Sequence, residues 1–186
     1  LAVYDRGAAA ELYIEIGENA TGIPGYDANA LFDGNEHQVS LTWDNATGSW
    51  EIYVDGSSVA TGSGLATGQT IAPGGTIVLG QEQDSNGGGF DTSQVFSGTL
   101  HDVRVFDDVR SATEISDNVF NQVDASEPGL IADWRLDDLS GGVAVDQVSG
   151  NDLTVGNVTG PGWTGSTPSL VTGVPEGAAD GHLVGA

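Results

Sequence analysis

Apolar and polar residues alternate with a period of two along much of the chain. Val39, Leu41 and Trp43 are interleaved with Gln38, Ser40 and Thr42, and Trp50, Ile52 and Val54 resume the same alternation. Between them Asp44 to Ser49 has the composition of a hairpin connection, and Asp55-Gly56 makes the next turn. Period two puts one side of each strand on a core and the other in solvent, so these strands are expected to be half-buried. LAVYD and ELYIEI near the start, Thr76 to Gly80, and Val103 and Val105 around Arg104 give further strands, with a glycine- and asparagine-rich bend from Glu18 to Asp33. Helical spacing occurs at one place. Ser111-Ala112-Thr113-Glu114 is a capping box, and Ile115 and Val119 lie four apart on one face. Short strands, turn signals between them and one short helix predict an all-β, antiparallel two-sheet sandwich.

Composition narrows the partners. The 186 residues suit one domain with a sizeable core. Twenty-seven acidic residues against four arginines leave a formal charge of −23, which repels nucleic acid and anionic lipid. Neither is an expected partner, and no long apolar run predicts membrane insertion. The charge also repels itself, so bound cations or salt are expected to stabilise the fold. Cysteine and methionine are absent, and no start Met or signal peptide is present; the chain reads as a soluble piece of something larger.

The chemistry concentrates in Gly80 to Gln94, GQEQDSNGGGFDTSQ, where Glu82, Gln83, Asp84, Asp91 and Gln94 surround a glycine triplet. Carboxylates and amides are hard oxygen donors, and glycines let the backbone turn back so that separated oxygens converge, as Ca²⁺ requires. An acidic surface loop between strands accounts equally well for composition alone.

The wording of this loop, with FSGTLHDVRVFD after it, resembles the calcium loop of the pentraxins, within the wider laminin-G-like and lectin-like sandwich class. The similarity runs through HQVSLTW (37–43), GSWEIYVDG (48–56) and WRL (134–136), covering residues from about 3 to 136. It implies a jelly-roll sandwich in which Glu82 and Asp84 give side-chain oxygens and Gln83 a backbone carbonyl. Asp91, where the family more often has Glu, and Gln94 complete the set. The family's earlier Asp-Asn pair is replaced by Ala8-Ala9-Ala10, a departure at one of its two metal positions, and Val39 stands near where a half-cystine is usual. Ca²⁺ is thus the implied cofactor.

The late segment WRLDDLSGGVAVDQVSGNDLTVGN resembles the opening of bacterial laminin-G-like repeats. It either completes this sandwich in a rearranged order, the preferred reading, or opens a following repeat. One domain over 1–173 is expected, with 174–186 as a linker or tail. Asp146, Asn151 and Asp152 form a possible second metal site, against an ordinary Asx turn.

Together with the missing cysteines, these features resemble the ligand-binding modules of giant bacterial RTX adhesins. That resemblance implies a calcium-dependent, non-enzymatic domain on a bacterial surface or secreted. Its expected partner is the free C-terminal carboxylate of a peptide on a host or neighbouring cell, bound for adhesion. A calcium-dependent lectin that binds glycans is the alternative on the same scaffold, and a structural spacer or a sandwich-fold glycosidase the alternatives beyond it. Glu11 and Glu15 faintly resemble a glucanase pair, but i and i+4 on a strand lie roughly 13 Å apart, where a retaining enzyme needs about 5 Å. His37, His101 and His182 are too scattered to read as a zinc site, and His37, at a strand start, reads as structural.

Overall fold

The computed structural model describes residues 2–5, 10–17, 19–23, 25–71, 73–80, 84–91, 96, 98–137, 139, 142–154 and 182–185. Strands β1 (Ala2–Asp5), β2 (Ala10–Ile16) and β3 (Asn19–Gly22) make a three-stranded antiparallel sheet in that order. A second sheet has six strands, β4 (Val39–Asp44), β5 (Ser49–Val54), β6 (Ser57–Gly62), β7 (Val103–Phe106), β8 (Leu130–Trp134) and β11 (His182–Gly185). Its order is β6-β5-β4-β11-β7-β8, antiparallel throughout. The short pair β9 (Val143–Ala144) and β10 (Leu153–Thr154) completes the β structure among the described residues. The sandwich and its antiparallel class agree with the alternation in the sequence.

Register follows the alternation. Trp43 faces Trp50 and Leu41 faces Ile52 across the β4–β5 pair, so their side chains project on one side and meet Leu12 and Ile14 of β2. Trp43 Nε1 donates to the Leu65 carbonyl at 2.8 Å, which lets a buried indole keep its polar edge satisfied. A second apolar cluster joins Val103 and Val105 of β7 to Ala132 and Trp134 of β8 and to Leu153.

Four sequence expectations change. The bend over 18–33 contains β3 and a 3-10 helix, Ala28–Phe32, capped by Asp27, whose carboxylate accepts from the Asn29 N–H at 3.0 Å. Asn-Ala-Thr-Gly carries no apolar alternation, so its strand character comes from pairing with β2. Thr76 to Gly80 shows only an isolated bridge at Val78, and Gly80 at φ +77° ends the extended run. His182–Gly185, within the expected tail, is a strand between β4 and β7.

The fourth change concerns burial. The polar positions in and just before β4 do not face solvent: Ser40 and Thr42 of the strand and Gln38 ahead of it are buried. Arg104 and Phe106 of β7 are buried as well. Helix α1 (Ala112–Asp117) begins at Ser111, whose side chain and that of Glu114 form the expected capping box. This helix and the chain that follows cover the outer face, where Phe106, Val123 and Leu130 make a small core of their own.

Candidate functional site

The Gly80–Gln94 loop is closed at its base, where the Phe96 N–H donates to the Gly80 carbonyl at 2.9 Å. Within it, Ser85 and Gly88 exchange two backbone hydrogen bonds, Ser85 N to Gly88 O at 3.1 Å and Gly88 N to Ser85 O at 2.9 Å. Gly87 and Gly89 take φ +66° and +75°, which the turn requires and L side chains rarely adopt. A Cβ on Gly89 would stand 2.8 Å from the Asp84 Cβ, so the chain after the turn lies directly against Asp84. Asp84 and Asp91 are exposed at the two sides of this hairpin. Glu82, Gln83 and Gln94 lie outside the described residues, as do Ala8 and Ala9.

Two carboxylates on a tightly reversed, glycine-bearing turn fit a hard divalent cation in donor chemistry and in backbone approach. Among the described residues no group of three or more His, Cys, Asp or Glu converges, so Asp84 and Asp91 need oxygens from the neighbouring positions to make a full shell.

Asp146, Asn151 and Asp152 come together, but as a turn. Asp146 Oδ1 accepts from the Asp133 and Val148 N–H groups, both at 3.0 Å. Its Oδ2 accepts from the Ser149 hydroxyl at 2.5 Å and the Asn151 N–H at 3.1 Å. Asp152 Oδ1 accepts from the Asp146 N–H at 3.0 Å, and the Asn151 carbonyl takes the Trp134 indole N–H at 2.8 Å. Burial disfavours the Asp146 charge, yet these donors hold its carboxyl below the usual value. With its lone pairs on protein donors, Asp146 fastens the 146–152 turn to β8. Asp44 acts similarly at its hairpin tip, accepting from the Ala46 N–H at 2.8 Å.

The sequence did not flag the ion-pair networks under α1. Arg104 pairs with Asp102 through Nε and Nη2 and donates to the Asn121 carbonyl at 2.6 Å. Arg110 lies over the Phe106 ring, 4.6 Å from its centroid, and reaches Asp108, Glu114 and Glu127. Asp133, beside Arg104 and Arg135, is pushed up to about 6 by burial, and Asp102 adds to the effect.

Residues 7–145 match the pentaxin family, three quarters of the chain. The chain belongs to the pentaxin family. Neuronal pentraxin-2 of Mus musculus is 42% identical over 102 residues, 55% of this chain and 23% of that protein. Neuronal pentraxin-1 of Homo sapiens is 42% identical over 75 residues, 40% of this chain and 17% of its relative. The "Sushi, von Willebrand factor type A, EGF and pentraxin domain-containing protein 1" of Rattus norvegicus is 31% identical over 140 residues, 74% of this chain and 4% of that protein. The pentaxin chain therefore spans under a quarter of these curated relatives.

Pentaxin domains are non-catalytic ligand-binding modules that generally bind calcium. That excludes the glycosidase reading of Glu11 and Glu15. The matches also overturn the placement in a bacterial RTX adhesin, because the relatives found are mammalian pentraxins. The bacterial cell surface as location, the adhesion role and the host-peptide C-terminus as partner fall with it. Acidity and missing cysteines, on which that placement leaned, report the solvent and redox conditions a chain tolerates. They carry no information about descent.

Proposed function

We propose that this pentaxin-family domain binds carbohydrate through calcium held by the 80–94 loop. The observation that carries the reading is the doubled-back turn at Ser85–Gly88, which sets Asp84 and Asp91 on an exposed, glycine-lined hairpin with a closed base. Asp84, Asp91 and Glu82 are assigned as side-chain donors, Gln83 as a carbonyl donor and Gln94 as the remaining oxygen. Asp146, Asn151 and Asp152 are assigned to the turn. Calcium bound there supplies a positive centre with coordination positions open to vicinal hydroxyl oxygens. In a chain of charge −23, neutral hydroxyls are better suited to that approach than an anion, which the surrounding carboxylates repel.

The test is calcium titration calorimetry with a glycan array, run with and without EGTA. Asp84→Ala should lower calcium affinity at least about tenfold, roughly 1.4 kcal/mol, and abolish array binding. Competition by a simple monosaccharide should displace the glycan. Unchanged calcium affinity in Asp84→Ala refutes the site, and glycan retention in EGTA refutes the metal's part in it.

A further inference from the structure

Under α1 lies a small cavity of about 20 Å³, walled by Gln38 just before β4, Ser40 of β4, Arg104 and Phe106 of β7, and Arg110, Glu114, Ile115 and Asn118. Gln38 and Ser40 both line it, so their side chains project to the same side. Both are more than nine-tenths buried. Gln38 Oε1 and Ser40 Oγ have no hydrogen-bonding partner in the protein. An unpaired buried polar atom costs about 1–3 kcal/mol, so two side by side against one cavity call for an occupant that pairs with both. Turning the Gln38 carboxamide over does not help. Its Nε2 donates to the Asn118 carbonyl at 3.4 Å, and the flipped group would set two acceptor oxygens against each other.

We infer that this cavity is a binding site for one internal water molecule, donating to Gln38 Oε1 and bonded to Ser40 Oγ, which joins β4 to the underside of α1. Size and charge identify the occupant. A single water needs roughly 10–15 Å³, so one is accommodated and a larger solute is not. The charged groups around it, Arg104 and Arg110 with the Glu114 carboxylate, are paired with one another or with Asp102, Asp108 and Glu127, so the wall offers no uncompensated charge to hold a free ion of either sign. A neutral molecule that both donates and accepts suits a carbonyl oxygen beside a hydroxyl.

The experiment uses the full chain. A crystal structure at a resolution that shows ordered waters should have one peak within hydrogen-bond distance of both Gln38 Oε1 and Ser40 Oγ. Oxygen-17 relaxation dispersion should count one long-lived water fewer in Gln38→Met, whose apolar side chain of similar length fills the space. A wild-type map with no peak there overturns the inference. So does Gln38 Oε1 bonded to a protein donor, or an anomalous signal that marks an ion. If Gln38→Met does not fold, the wild-type map decides alone.

Discussion

His37 shows how one side chain can tie two turns together. Its Nδ1 lies 2.8 Å from Asp55 Oδ2 and its Nε2 3.1 Å from Asp33 Oδ1. Neutral imidazole has one N–H, so both contacts are donated only by the protonated ring. The hydrogen bonds to Asp55 and Asp33 raise its pKa above the usual 6.5, while Asp33, bonded to Asn35 and His37, is held down to about 2. The signs differ. A raised His37 value means its contribution is whole below 6.5 and is lost as pH rises through the raised value. A depressed Asp33 value means its contribution is present above 3.8 and is lost as pH falls through about 2. Between these limits the staple is complete. His37→Gln should therefore melt lower than wild type by about 2–3 °C near pH 5.5 and match it near pH 9, as read from thermal denaturation across that range. A gap independent of pH would assign His37 a packing role alone.

At the scale of elements, α1 is held by more than its cap. Arg110 precedes the helix, is itself buried, and ties Glu114 on the helix to Glu127 and the Pro128 carbonyl on the far side of the connection to β8. Arg110→Met keeps much of the apolar stem but removes the charge that these three points share. Its carboxylate partners are 31–46% exposed and regain water, so the cost should be about 2 kcal/mol, less than for a fully buried pair. That corresponds to a melting temperature about 4–8 °C lower, and a loss below 1 °C would show that the helix is seated by Phe106 and Ile115 alone.

The same elements show what the chain's pattern could reveal. β4, β5 and the start of α1 were legible because their signals are local: alternation around Trp43 and Trp50, and a hydroxyl three residues before a carboxylate. The burial of Gln38, Ser40 and Arg104 was not. Alternation marks the two sides of a strand, but what later covers the polar side is decided by helix α1, some seventy residues on. β3 and β11 were missed for a related reason, since each becomes a strand through its partners. The tight reversal in the 80–94 loop was readable from Gly87 to Gly89, whereas the role of Asp146 depended on donors that only the folded turn assembles.

The whole molecule carries 27 acidic residues against four basic ones, and three of the four arginines, Arg104, Arg110 and Arg135, are spent on ion pairs in the structure. The remaining carboxylates repel one another, which weakens the folded state against an expanded one. Two remedies act on different terms. Sodium chloride screens all surface charges alike over a Debye length of about 10 Å at 0.1 M. Calcium held at the 80–94 loop, as proposed, would bind the native state alone and stabilise by mass action, about 2.7 kcal/mol when its concentration is 100 times Kd. Melting curves at matched ionic strength separate them. Wild type should melt about 5–10 °C higher in calcium than in sodium, and Asp84→Ala should lose that excess while keeping its response to sodium. If calcium and sodium raise the melting temperature equally at matched ionic strength, screening accounts for the whole effect and the loop holds no ion. If Asp84→Ala retains the excess, the ion sits elsewhere among the carboxylates, and the assignment of Asp84 and Asp91 fails with it.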